Sequence, residues 1–144
     1  MKKKGFTLLE LLVVIIIVGV LATLGFQQYS RVIEKSRGAE ARAVLGSIRT
    51  MAAAHILEHG GLATFASSNA AGLGTTGDTI PSACRTNNYF TYGVAATNNT
   101  LTATATRCIA GGKNPNAASA YTLVLTSDFE GTTGSDSWAS DFGY

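Results

Sequence analysis

Hydrophobic and polar positions divide this chain into three stretches. From Phe6 to Phe26 the residues are almost continuously apolar, and Glu10 is the one charged side chain. Those 21 residues, wound as a helix, cover about the ~30 Å of a bilayer's hydrocarbon core. From Gln27 to about His59 charges appear at Arg31, Glu34, Lys35, Arg37, Glu40, Arg42 and Arg49. Val44, Leu45, Ile48, Met51, Ala52 and Ile56 keep helical spacing on one narrow face. Ala39, Ala41, Ala43 and Ala52–Ala54 add helix propensity, and Gly60-Gly61 predict a stop. The pattern therefore predicts one helix over Phe6–His59, 54 residues and ~80 Å long.

Beyond Gly61 the period changes. Residues 60–82 read as a long loop rich in Gly, Ser, Asn and Thr, with Leu62, Phe65 and Leu73 to pin it down. Tyr89–Val94 and Thr100–Thr106 alternate in the manner of strands and flank Asn98-Asn99, a turn signal. Residues 111–116 form a second turn, and Ala120–Thr126 reads as the best strand in the chain. The tail from Asp128 to Tyr144 is rich in Gly and Ser, with Trp138, Phe142 and Tyr144 as anchors. The expected fold class is α+β: a long N-terminal α-helix, half transmembrane or filament core and half amphipathic, packed on a small antiparallel β-sheet head of three or four strands.

The N-terminus adds chemistry to this pattern. Lys2, Lys3 and Lys4 precede Gly5-Phe6-Thr7-Leu8-Leu9-Glu10. Positive charge ahead of an apolar span stays on the cytoplasmic side, which directs the C-terminal part outward. A carboxylate inside such a span is costly and marks a functional position. The order of small residue, aromatic, hydroxyl residue, apolar pair and glutamate behind a basic leader resembles the processing site of bacterial type IV pilins and the related pseudopilins. The resemblance covers about the first 30 residues. It implies cleavage between Gly5 and Phe6 by prepilin peptidase at the cytoplasmic face, N-methylation of Phe6, and an assembly role for Glu10, the fifth residue after the cut. In that role Glu10 pairs with the new ammonium of a neighbouring subunit, in a packed helical core whose low dielectric strengthens the pair. Family members often carry proline where this chain has Gln27, so any local unwinding must come from Gly19 and Gly25. A secretory signal peptide would instead place an A-x-A-like cut after the apolar run, and Val20–Leu24 matches that poorly.

Composition then excludes some functions. The 144-residue chain is 14% charged and formally +2. Met1–Gly5 contains three of the 11 basic residues and none of the nine acids, so the processed chain carries eight against nine, or −1. The basic balance belongs to the leader, and no signal for nucleic-acid binding remains. A nearly neutral surface offers little long-range repulsion between copies, which suits a homopolymer.

Cys84 and Cys108 flank the predicted hairpin. In an exported head a disulfide between them persists and closes a 25-residue loop, contributing ~3.5 kcal/mol by loop entropy. The alternatives are two buried free thiols or a metal pair, the latter with no further Cys or His nearby.

Other motifs carry less. His55-Ile56-Leu57-Glu58-His59 spells the H-x-x-E-H of some zinc peptidases, but a helix stop follows at once and no third ligand is identifiable. The predicted role is a polar helix end with histidines near the C-terminal dipole. Asp128, Glu130, Asp136 and Asp141 suggest calcium, which type II pseudopilins often bind in a C-terminal loop, yet they match no EF-hand spacing. Asn98-Asn99-Thr100 is a formal glycosylation sequon. No catalytic residue, cofactor or metal is predicted.

The expected organisation is a cleaved leader at 1–5, a transmembrane or filament-core helix at 6–26, an amphipathic helix at 27–59 and a head at 60–144. The expected function is that of the major pilin of a type IV pilus. Its partners would be copies of itself, prepilin peptidase, the inner-membrane assembly machinery, which supplies the ATP-driven work, and lipid before assembly. A pseudopilin of type II secretion or DNA uptake is the alternative within the family. A membrane-anchored enzyme or binding module is the alternative outside it.

Overall fold

A computed structural model describes residues 5–66, 69–74, 79–113, 115, 120–130 and 134–141. Among the described residues, helix α1 spans Leu8–His59, a short 3-10 turn follows at Asn69–Ala71, and six strands come after it. These are β1 (Leu73–Gly74), β2 (Ile80–Pro81), β3 (Phe90–Ala96), β4 (Thr100–Arg107), β5 (Thr122–Asp128) and β6 (Ser135–Ser140). The chain divides into two compact units, Met1–Ser36 and Arg37–Tyr144.

In the first unit α1 is unbroken through Gly19 and Gly25, so neither glycine unwinds it. Its large apolar side chains are exposed throughout, from Leu8 at 88% to Val32 at 63%. The helix is long and apolar enough to cross a membrane.

In the second unit α1 becomes one-sided. Gly38, Ala41, Leu45, Ile48, Ala52 and His55 are buried, each three or four residues from the next, forming the stripe a helix presents to a core. At the C-terminus Gly60 takes φ +77° and its N–H reaches the carbonyl of Ile56 at 2.7 Å. That is a left-handed cap, a conformation in which a Cβ would be strained.

Four strands form one antiparallel sheet in the order β3-β4-β5-β6. The β3–β4 hairpin turns at Asn98-Asn99, with the Thr97 N–H on the Thr100 carbonyl at 2.9 Å. Alternation assigns the faces. Leu101, Ala103, Ala105, Leu123 and Leu125 point into the core with Phe90 and Tyr92, while Thr102, Thr104, Thr106, Thr122 and Thr126 point out. Phe90 meets Tyr121 edge to face at 5.8 Å between ring centres.

Two sequence expectations change. Residues 60–82 carry more order than a structureless loop: Leu62, Phe65 and Ala71 are fully buried, and β1 pairs in parallel with β2. The tail is not merely irregular, because β6 completes the sheet against β5. The expected residues Ser67, Ser68, Gly77, Asp78, Phe142 and Tyr144, and most of the 111–116 turn beyond Lys113, lie outside the described residues.

Candidate functional site

The helix start is built by two residues. Thr7 immediately precedes α1, and its hydroxyl oxygen accepts the Glu10 N–H at 3.2 Å. Glu10 reciprocates: its Oε2 accepts the Thr7 N–H at 2.8 Å and the Thr7 hydroxyl at 2.9 Å. This is a capping box, which satisfies two of the backbone donors that a helix N-terminus leaves open. The Leu11 N–H on the Thr7 carbonyl, at 3.3 Å, starts the helical ladder.

Glu10 therefore has a hydrogen-bond partner within its own chain, whereas its spacing within an apolar run suggested an unpartnered charge. Both Thr7 donors converge on Oε2, and a carboxylate has acceptor capacity on both oxygens. Gly5 and Phe6 lie outside the helix and are exposed, with no atom within 4 Å of where a Gly5 Cβ would sit. Gly5, Phe6 and Glu10 thus share one short segment of the first unit. Cys84 and Cys108 belong to the second.

In the second unit Cys84 and Cys108 form a disulfide with Cα atoms 5.8 Å apart, at the open end of the β3–β4 hairpin. Gly112 packs on it. A Cβ there would collide with Cys108 and lie 3.1 Å from the Asn88 carbonyl oxygen. Asn88 ties this corner together, accepting the Arg85 N–H at 2.9 Å and donating to the Phe90 carbonyl at 2.6 Å.

Beside the disulfide lies a feature the sequence reading passed over. Arg107 is 1% exposed. Its Nη1 donates to the carbonyls of Tyr89 at 3.0 Å and Cys108 at 3.2 Å. Three cations surround the Tyr89 ring: Arg37 at 4.8 Å, Lys113 at 5.0 Å and Arg107 at 5.5 Å from its centre. A cavity of ≈ 150 Å³ opens here, lined by Glu40, Arg85, Asn87, Asn88, Tyr89 and Tyr92 among others. Burial first, and the Glu40 carboxylate second, push the Tyr92 hydroxyl well above the ordinary phenol range.

Of the two histidines, His55 is a core residue and His59 is exposed. His55 is 7% exposed, stacks on His59 at 4.1 Å between ring centres and lies against Phe65. Its Nε2 is 3.2 Å from the Thr64 hydroxyl. No group of three potential metal ligands occurs among the described residues. The tail carboxylates are engaged separately. Asp136 accepts from Arg49 Nε at 2.7 Å, Asp128 accepts the Glu130 N–H at 2.9 Å, and Asp141 accepts the Thr122 hydroxyl. The Arg49 hydrogen bond first, with the Ser127 hydroxyl and Arg49's charge assisting, holds the Asp136 carboxyl below the usual carboxylate range against partial burial.

Two residues were missed. Thr7 had a readable signal, since Thr7-Leu8-Leu9-Glu10 is a T-x-x-E capping box before an apolar run. Arg107 had none, because an arginine ending a Thr-Ala alternation reads as a strand exit to solvent.

Comparison with known proteins bears on the N-terminal segment. Residues 1–26 match the family model described as the prokaryotic N-terminal methylation motif. This is the N-terminal motif of type IV pilins. The chain is also similar to a fimbrial protein, EcpB of Eikenella corrodens, with 43% identity over 63 residues. The match covers 44% of this chain and 39% of that relative, so the chain spans about two-fifths of the relative's length. No solved structure matches.

Proposed function

We propose that this chain is the major structural subunit of a type IV pilus, and the pilin-type N-terminal motif is the premise. The observation that carries the reading is the first unit. It is a helix with its large apolar side chains exposed from Leu8 to Val32, opened by a carboxylate in a capping box. Apolar surface of that extent requires burial elsewhere, in lipid first and then among neighbouring helices.

On this reading the precursor sits in the inner membrane with its head outside the cytoplasm. Prepilin peptidase cuts after Gly5, and Phe6 gains an ammonium that is then methylated. Thr7 holds Oε2 of Glu10 within the subunit, and Oε1 takes the Phe6 ammonium of a neighbour. The pair forms only where two subunits meet, which gives each incoming subunit its register. The head, locked by Cys84–Cys108, remains at the filament surface. Copies of the chain, the peptidase and the inner-membrane assembly machinery are the partners, and the role is structural.

Electron microscopy of sheared cell-surface filaments, with intact mass of the subunit, tests this. Expected are long filaments built of a chain beginning at N-methylated Phe6. Glu10→Ala should leave insertion and cleavage intact and abolish filaments. Wild-type filaments from that variant, or a subunit retaining Met1–Gly5, would overturn the reading. A processed subunit that forms only short periplasmic assemblies would assign the chain to the pseudopilins.

A further inference from the structure

The head's charge is segregated. Of the six Lys and Arg residues from Arg37 onward, four (Arg37, Arg85, Arg107 and Lys113) gather at the corner where β3 begins and β4 ends. Glu40 is the acid lining the groove there. Asp128, Glu130 and Asp136 sit where β5 passes into β6, on the far edge of the sheet, where Arg49 pairs with Asp136 and Arg42 lies over Trp138. Asp141 follows β6 at the opposite end of that edge, beside Thr122, and is not part of the acidic corner.

The two groups are also displaced along the sheet. Register places Phe90, Arg107 and Thr122 at one end and Thr100, Asp128 and Ser135 at the other. The helix gives the same offset. Arg37 contacts the basic corner and Arg49 the acidic one, 12 residues apart, or ~18 Å of helix. Across the strands the separation from the β3–β4 corner to the β5–β6 corner is two gaps, or ~10 Å. The basic and acidic corners are diagonal.

We infer that these corners are complementary docking surfaces, and that the acidic β5–β6 corner of one copy seats against the basic groove beside Tyr89 of the next. The inference rests on the filament reading and adds a contact between heads to the contact between helices. Charge complementarity selects a second copy as the occupant, since one chain supplies both signs. Because the two corners differ, a single acidic-to-basic contact is heterologous: it leaves one corner of each sign open on the pair, and the contact can propagate. The nearly neutral total then has a use: attraction is local while long-range repulsion stays low.

Charge reversal in the full chain tests this through Lys113 and Glu130, both exposed. Lys113→Glu and Glu130→Lys should each lower the yield of sheared filaments about tenfold or more, with processed subunit in the membrane unchanged. Co-expression of the two variants should restore filaments to within about threefold of wild type, because each reversed corner meets its opposite. Co-expression also shows that both variants fold. Wild-type yield from either variant alone overturns the proposal. Loss that co-expression does not repair also overturns it and points to an anion other than a second copy at the basic corner. Wild-type filaments and the Glu10→Ala control, run in parallel, separate failure of this contact from failure of the filament reading.

Discussion

Thr7 and Glu10 hold each other across the first turn of α1, each accepting from the other's backbone N–H while Oε2 of Glu10 also takes the Thr7 hydroxyl. A costly carboxylate in an apolar run is thus anchored within its own chain. Removing the hydroxyl should loosen that turn. In detergent micelles, Thr7→Val is expected to speed amide exchange at Leu8–Leu11 by about fivefold, in line with the loss of an N-cap, and Thr7→Ser to leave it near wild type. Equal exchange in all three chains would mean that the box does not hold the helix start.

The Cys84–Cys108 bridge spans 24 positions of sequence at the base of a hairpin. Its reduction, or paired substitution by serine, should cost the head ~2–4 kcal/mol in guanidinium unfolding followed by near-UV circular dichroism. Gly112→Ala should weaken the same corner by ~1–3 kcal/mol, because its methyl would have to displace Cys108 or the Asn88 carbonyl. The alanine variant's penalty should shrink once the bridge is reduced and Cys108 can move.

Arg107 is a fully buried cation whose guanidinium bridges two carbonyls and lies beside two aromatic rings. Arg107→Ala should destabilise the head by ~3 kcal/mol, combining a cavity with carbonyls left short of a donor. Arg107→Lys should recover less than half of that, since an ammonium cannot reproduce the planar guanidinium that lies beside Tyr89 and Phe90. Equilibrium unfolding of the two variants beside wild type measures both numbers.

Asp136 links β6 to α1 through Arg49, and its carboxyl titrates below the usual range. A depressed native pKa means that the unfolded chain binds the proton first. The contribution is therefore complete above the unfolded value of ~3.9 and disappears as pH falls through the native one. Both side chains are more than a third exposed, so screening keeps the pair at ~0.2–1 kcal/mol. Asp136→Asn should flatten the stability profile below about pH 4 and leave its slope at neutral pH unchanged. High salt should reduce the difference between the two proteins.

How much the sequence revealed depended on how strongly each element advertises its burial. The core-facing half of α1 was legible because Leu45, Ile48 and Ala52 recur at helical spacing and Gly60 ends the pattern. The strands β3, β4 and β5 were legible because one face of each is apolar or aromatic. β6 was not, because Ser-Asp-Ser-Trp-Ala-Ser has one large apolar residue and both faces are exposed. It holds its place by ladder hydrogen bonds, by Arg49 on Asp136 and by Arg42 over Trp138 at 5.5 Å. Those partners come from a helix more than 80 residues away in sequence, and no local window contains them. His55 was read as part of a polar helix end because Gly60-Gly61 stop the helix just beyond it, but its position on the buried stripe makes it a core residue. At the candidate site, Gly5, Phe6 and Glu10 were legible as a spaced motif. The partner that positions Glu10 needed the geometry.

The sheet's two edges differ in how they would yield to a pull. At the β3–β4 end the covalent link between Cys84 and Cys108 stops the hairpin from unzipping past its base. At the other edge β6 is fastened to β5 by one ladder and to the helix by two arginine contacts. Tension on the head would therefore peel the C-terminal strand first and leave β3 and β4 joined. The bridge thus acts as a mechanical stop, limiting how far a loaded head can come apart before it refolds.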